Sequence, residues 1–573
     1  MTALFILLCN LLRLLLSPIR FLVRSLRGRM RARYVRLCLP ERLSDLPAAP
    51  GSPWQALLWR VQRRHATDLR QLQKLFHQLA KDPARDGVVV QVGTLHASWS
   101  VIGAMRSALL LLREQGKRVV VNLVQGGDEK VLYLVTAADE VALCPAASLT
   151  FAGLAFQGLY VRDLLSRLGV AVEVNAQGSY KTAAETLVRA EMSPAQREQT
   201  EALLTARQAL VDQALATRLP EGQQVAPLLK EVTLTPERAR ELGLVQHSCY
   251  EDELAKCLKQ EDLGARWLVE APRYRALRPR PLWRPLRPGS RIEILPLMGT
   301  IRERGSAGGR MVALASTVAA VRDLRRDKRV AGVLLYINSP GGSAMVSDLI
   351  HHEIQRLAVD KPVVAYFADV AASGGYYIAV PARRIVAAPE AITGSIGVVS
   401  VKPVVQGLMD RLGIGHSVVR TGPHADMMSL TRSMDEAEQA IVDRESQRIY
   451  RRFLEVVAEG RNMAFDAVEA VAGGRVWSAQ SALSVGLVDR LGTLEDALSE
   501  LKGLITPAPP RPIRVAVHAA QTRRQPWAPV EQPEERSQLW TRVLAGACDL
   551  TSLFESHERH LCLWLEGQRD CSN

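Results

Sequence analysis

The amino-acid sequence predicts an α/β protein built from two tandem copies of one domain. Three observations carry this expectation. At 573 residues the chain exceeds the size at which a single hydrophobic core stops growing, so at least two domains are expected. The middle of the chain repeats itself at a nearly constant offset. Each copy also alternates apolar strand patterns with helical spacing, the arrangement that produces largely parallel sheets covered by helices.

The repeat is legible in the residue numbers. "VLYLVTAADEVALCPAASLTF" (131–151) aligns with "GYYIAVPARRIVAAPEAITGS" (375–395), pairing Tyr133 with Tyr377 and Pro145 with Pro389, each 244 residues apart. "LLSRLGVAVEV" (164–174) aligns with "LMDRLGIGHSV" (408–418) at the same offset. "RARELGLV" (238–245) meets "QSALSVGLVDRLG" (480–492) at 243, and "GVVVQVG" (87–93) meets "GVLLYIN" (332–338) at 245. Within the second copy, "GVLLYI" is a continuous apolar run of buried-strand type. "SDLIHHEIQRLAV" spaces its apolar residues as a helix does, and "KPVVAYF" reads as a second strand. "DVAASGGYYIA" (369–379) reads as a helix N-terminus of small, tightly packing residues.

These patterns divide the chain into five expected segments: an N-terminal membrane segment (1–40), a first copy (50–270), a linker (271–290), a second copy (291–503) and a C-terminal extension (504–573). The linker, within "APRYRALRPRPLWRPLRPGSR", is dense in proline, which suits neither helix nor sheet. The extension's boundary is marked by "TPAPPRPIR" (506–514), and it includes one short amphipathic helix; no role is assigned to it.

The first stretch, "MTALFILLCNLLRLLLSPIRFLVRSLRGRMRARYV", is apolar but interrupted by Asn10, Arg13, Pro18 and Arg20. A cleavable signal peptide would begin with positive charge and end in small residues, and this segment does neither. A spanning anchor and an interfacial helix both remain open, with the arginine-rich flank suited to anionic lipid. Basic residues just after the apolar run place the body in the cytoplasm by the positive-inside rule.

The net charge of +14 is concentrated largely at this N-terminus and in the 273–291 cluster. Neither region interleaves aromatic residues as a single-strand-binding groove does, so nucleic acid is not an expected partner. The eight cysteines form no CxxC pair and have no histidine at metal-ligand spacing, and no phosphate-binding loop is visible. No metal or cofactor is expected.

The chemistry is expected where the copies differ. In "AITGSIGVVS" (391–400) Ser395 stands between glycines, whereas the residue 244 positions earlier is Phe151. Lys181, in "NAQGSYKTAAETLVRAEMS", corresponds to Ala425. The glycine turn "NSPGGS" (338–343) faces "GTLHAS" in the first copy. Each copy thus keeps what the other lacks. A serine hydroxyl is a poor nucleophile until a base accepts its proton. Lysine can serve as that base if burial lowers its pKa towards neutrality. Charge developing on an attacked carbonyl needs backbone N–H donors; the residue after the serine, Ile396, can supply one and the Gly341–Gly342 turn another. Ser343 and Ser373 lie near these motifs and can reach Lys181, although structural roles are expected for both.

As a set, "YINSPGGS", "DVAASGGYYIA", "TGSIGVVS", "GRVWSAQSALSVGLVDRLG" and the lysine segment resemble the long, double-domain form of the signal peptide peptidase A (protease IV) family across roughly residues 50–503. The resemblance implies two tandem Clp/crotonase-like domains and a membrane-associated serine endopeptidase with a Ser–Lys dyad. It implies Ser395 as nucleophile, Lys181 as general base and Gly342 and Ile396 as oxyanion donors, with Gly341, Gly394, Ser343 and Ser373 in support. Its expected substrates are cleaved signal peptides and similar extended hydrophobic peptides. Homotetramers at the bacterial inner membrane, with catalytic domains on the periplasmic side, are also implied; the positive-inside pattern points the other way. Two alternatives stand beside this reading: a non-catalytic membrane scaffold, and a peptidase acting on other membrane-protein fragments.

Overall fold

The computed structural model describes residues 32–47, 68–260, 267–277, 289–304, 311–507 and 513–518. Most of the expected membrane segment, the linker core 278–288 and the extension beyond 518 lie outside the described residues. Among the described residues, no helix is long and apolar enough to cross a membrane.

The chain forms two compact units. The first comprises residues 1–154, 207–291 and 507–515, and the second residues 155–206, 292–506 and 516–573. In the first unit, strands Tyr34–Cys38, Gly87–Val92, Arg118–Leu123 and Glu140–Leu143 run parallel, with His247–Ser248 at one edge and Leu268–Glu270 at the other. The valine runs follow from burial on both faces. Val88, Val90, Val119 and Val121 enter one core with helices Leu69–Ala80 and Trp99–Glu114. Val89 and Val120 enter a second core with Tyr34, Leu254 and Trp267.

The second unit repeats the theme. Its sheet runs Val476–Ser478, Ile392–Gly394, Val363–Ala372, Val330–Ser339, Arg291–Met298 and Arg514–Val517 in order. Arg384–Ala387 also pairs with Val363–Ala372. "GVLLYI" and "KPVVAYF" are neighbouring parallel strands, and "SDLIHHEIQRLAV" lies in the helix Ala344–Asp360 that connects them. That helix begins at Ser343, whose Oγ accepts the Val346 N–H at 3.4 Å, a standard N-cap.

Compactness and duplication cut the chain differently. Residues 155–206 belong to the first sequence copy (50–270), yet they pack in the second unit. The physical reason is an antiparallel ladder of seven residue pairs between Ala171–Gln177 and Val398–Val404, from Ala171 opposite Val404 to Gln177 opposite Val398. The linker expectation also needs correction, because 271–277 is not linker. Ala271–Leu277 is a helix, and Tyr274 is buried with its hydroxyl 3.0 Å from Asp82. Its only proline, Pro272, falls in the first turn, where the missing N–H costs nothing. Part of the C-terminal extension has a defined place as well: its Arg514–Val517 is an edge strand, and the His518 N–H donates to the Ile294 carbonyl at 2.8 Å.

Candidate active site

The site is assembled within the second unit from three stretches distant in sequence. The strand Ile392–Gly394 pairs in parallel with Val363–Ala372 and antiparallel with Val476–Ser478. It ends at Gly394, whose φ is +87° and where a Cβ would sit 2.7 Å from the Trp477 ring and 2.8 Å from the Arg475 carbonyl. Ser395 follows with φ at 52°. Left-handed backbone in a non-glycine residue costs about 1–2 kcal/mol, and here the Ser395 N–H holds it by donating to the Arg475 carbonyl at 2.7 Å. Ser373 also has positive φ, at 52°, and its N–H donates to the Gly394 carbonyl at 2.8 Å.

Lys181 arrives from the other side of the antiparallel ladder, four residues beyond Gln177. Its loop is seated on a glycine pair. The Tyr180 N–H donates to the Gly473 carbonyl at 2.8 Å, and the Gly474 N–H donates to the Ile396 carbonyl at 2.8 Å. A Cβ on Gly474 would lie 2.5 Å from the Lys181 nitrogen and 2.6 Å from its Cβ. One short segment, Gly473–Arg475, is therefore bonded to the lysine loop and to the serine turn at once.

Lys181 is 9% exposed. Its Nζ is 2.9 Å from Ser395 Oγ, 2.8 Å from the Ser395 carbonyl and 3.0 Å from Ser373 Oγ. Burial alone lowers its pKa from 10.5 to about 7, because no carboxylate offsets the loss of hydration. The shift disfavours the ammonium by roughly 5 kcal/mol.

The other expected residues fall around this contact. The Ile301 N–H donates to the Gly341 carbonyl at 2.7 Å and the Ser343 N–H to the Ile301 carbonyl at 3.0 Å. The N–H of Gly342 shares a trans peptide with the Gly341 carbonyl and so points away from Ile301. By the same argument the Ile396 N–H points away from Lys181, which holds the Ser395 carbonyl. A Cβ at Gly341 would be 2.9 Å from the Ser373 Cβ, so the glycine turn abuts the serine that touches Lys181. Ser343 caps a helix and is not bonded to Lys181. Ser373, which the sequence places within reach of Lys181, accepts a hydrogen bond from its amine at 3.0 Å.

Sequence reasoning missed Gly473, Gly474, Tyr180, Arg475 and Trp477. The Arg475 guanidinium lies 4.7 Å from the Tyr180 ring centroid and 4.8 Å from that of Trp477, and it pairs with Glu198 at 2.9 Å. The available signal was the paired glycine in "AGGRVWS". His424, Asp435 and Glu438 bring ligand-type atoms within 4.8 Å of one another. Both Glu438 oxygens, however, accept from Arg432 at 2.6 and 2.7 Å, which makes the group an ion-pair network.

The sequence signature of peptidase family S49 matches residues 112–264 and 355–506, just over half of the chain. The chain belongs to peptidase family S49. It is 32% identical over 408 residues to Protease 4 of Salmonella typhi, an alignment covering 69% of this chain and 65% of that protein. A putative signal peptide peptidase SppA of Enterococcus faecium is 40% identical over 183 residues, covering 32% of this chain and 53% of the relative. The chain thus spans less than two thirds of either relative. Among solved structures, a ClpP1 mutant of Listeria monocytogenes is similar at 16% identity and a TM-score of 0.24, covering 36% of this chain and 94% of that one.

Proposed function

We propose that this chain is a membrane-associated serine endopeptidase in which Ser395 is the nucleophile and Lys181 the general base, and that it degrades cleaved signal peptides and similar extended hydrophobic peptides. The observation that carries the reading is a buried amine, lowered to about 7, in contact with the hydroxyl of a strained serine. A neutral amine has two N–H donors and one lone pair, and its three neighbours suit that count. The Ser395 carbonyl and Ser373 Oγ accept, leaving the lone pair for the Ser395 O–H.

In the reaction Lys181 takes the hydroxyl proton as Ser395 Oγ attacks the peptide carbonyl. The oxyanion is held by the N–H groups of Gly342 and Ile396, both turned away from their local partners. Lys181 then delivers its proton to the leaving amine, and water hydrolyses the acyl-enzyme by the same route. Ser373 orients the amine. Attachment through the 1–40 segment, a periplasmic position at the bacterial inner membrane and a homotetrameric assembly complete the proposal, and their support is the motif resemblance.

The test is covalent labelling by a fluorophosphonate with the modified residue mapped. Ser395 should be labelled in the wild type, with labelling lost in Ser395→Ala and strongly slowed in Lys181→Ala. Labelling elsewhere, or at an equal rate without Lys181, overturns the assignment.

A further inference from the structure

The sheet of the first unit carries a cavity that the catalytic reading does not use. It measures about 430 Å³ and lies towards the carboxyl ends of the strands Tyr34–Cys38, Gly87–Val92 and Arg118–Leu123, walled by residues 251–255. Open α/β sheets generally bind ligands at that end. Its floor is apolar, made by Val89, Leu254, Trp267 and Leu268. Side-chain alternation decides what else faces it. Val119, Val121 and Leu123 enter the core on the opposite face, so Asn122 points into the cavity beside Gln91, its neighbour across the ladder.

Asn122 is 4% exposed, and its carboxamide has no hydrogen-bond partner among the described residues. A buried amide left unpaired costs about 1–3 kcal/mol. The other copy avoids that cost. By the repeat, Gln91 corresponds to Tyr336 and Asn122 to Tyr366. These tyrosines oppose each other on the equivalent strands, both buried, with ring centroids 5.8 Å apart. Where the second copy fills its sheet with two rings, the first keeps two amides and a cavity. The charges around it are mostly committed. Arg36, the only basic residue of the lining among the described residues, donates to Glu251 and Glu270, each at 2.6 Å. Gln91 donates to Glu251 at 3.0 Å and accepts from the Cys38 thiol at 3.4 Å. Asp252 has neither ion pair nor hydrogen bond among the described residues. The uncommitted groups are thus one carboxylate and one carboxamide above an apolar floor.

We propose that this cavity binds the N-terminal end of a peptide. The terminal ammonium pairs with Asp252, the first side chain, an apolar one, packs on Val89 and Trp267, and the second residue pairs with the Asn122 carboxamide. In an extended chain the N–H and C=O of one residue point the same way, and a carboxamide offers the matching acceptor and donor. An anionic ligand would find no uncommitted cation in this lining, whereas an amine and an amide both find free partners. The volume is in the range of small-ligand pockets, enough for the end of a peptide and not for a folded partner. Peptide hydrolysis creates such N-termini, so the occupant belongs to the class of product that the proposed reaction releases.

Titration calorimetry of the detergent-solubilised full-length protein with leucyl-alaninamide tests it. One probe should bind per chain, and its N-acetyl form, which lacks the ammonium, should bind about tenfold more weakly or worse. Asp252→Asn and Asn122→Leu should each weaken the free-amine probe by about tenfold or more. Gln91→Tyr combined with Asn122→Tyr, which reproduces the filling of the second copy, should abolish binding. Asp252 is exposed, so its variant should fold; if the Asn122 variants do not, the Asp252→Asn and acetyl arms decide. No binding to the wild type, equal binding of the acetylated probe, or an affinity unchanged in Asp252→Asn overturns the proposal. The last of these is the result expected of a probe seated at Ser395. Because binding is read without turnover, failure of Ser395 labelling would refute the catalytic reading and leave this one standing.

Discussion

The two copies share a parallel sheet flanked by helices and differ where chemistry would occur. In the first, Leu149–Phe151 pairs antiparallel with Val232–Leu234; in the second, Ile392–Gly394 pairs antiparallel with Val476–Ser478. The first ends on Phe151, fully buried in the core. The second ends on Gly394 with positive φ and turns out Ser395. The helix after the second strand starts at Ser98 in one copy and Ser343 in the other, but only the second precedes it with two glycines. The difference teaches that duplication preserved the sheet, because it holds the cores, while the helix cap, bonded through its side chain only at Ser343, and the site were free to diverge between copies.

The largest expected effect breaks the second copy alone. Ser395→Ala or Lys181→Ala should lower peptidase turnover by about a thousandfold or more, measured on an extended hydrophobic peptide. Phe151→Ser should create no labelled serine in the first copy, since that position has neither the left-handed turn nor an amine.

Next is the joint between the halves. Gly474→Ala places a methyl within 2.7 Å of the Lys181 backbone and should cost roughly 10- to 100-fold in turnover by displacing the base. Gly222→Ala, with nothing within 4 Å, should leave the rate unchanged and serves as its control.

The pH dependence follows in size. With Lys181 lowered to about 7, turnover should rise from mild acid and level off above neutrality as the amine loses its proton. Equal rates at pH 5 and pH 8.5 would refute the assignment. The same shift predicts a stability effect. The folded-state pKa lies below the unfolded value, so between about 10 and 7 the unfolded chain binds the extra proton. The burden of burying this group grows as pH falls through that window and is complete below it. Lys181→Met should therefore raise the unfolding free energy at pH 6 by on the order of 3 kcal/mol, with the gain vanishing near pH 10 in denaturant titrations.

The smallest effect concerns His351, buried on the inner face of the helix Ala344–Asp360 with its ring 5.3 Å from that of Tyr377. Burial lowers it to about 4, so stability should fall as pH drops from about 6.5 towards 4. His351→Phe should recover on the order of 1 kcal/mol at pH 5.

Much of this was legible in the chain itself. The apolar runs 332–338 and 362–367 are strands because both faces of a parallel sheet are buried, and a periodic helix joins them. The divergence of Ser395 and Lys181 from Phe151 and Ala425 pointed to the two residues that make contact. The role of Gly473–Arg475 was not legible, since a glycine pair in a loop carries no sign of what approaches it. Nor was the helix Ala271–Leu277, which the proline count of its neighbours obscured.

The sequence by itself determined the elements, the duplication and the residue types available for catalysis, because periodicity, capping and glycine placement act over a few residues. Only the tertiary structure decided that residues 155–206 leave their own copy to pair with Val398–Val404. It also decided that a lysine ordinarily charged is buried against a serine 214 positions away. Desolvation depends on everything packed around the amine, and no local stretch of chain encodes it.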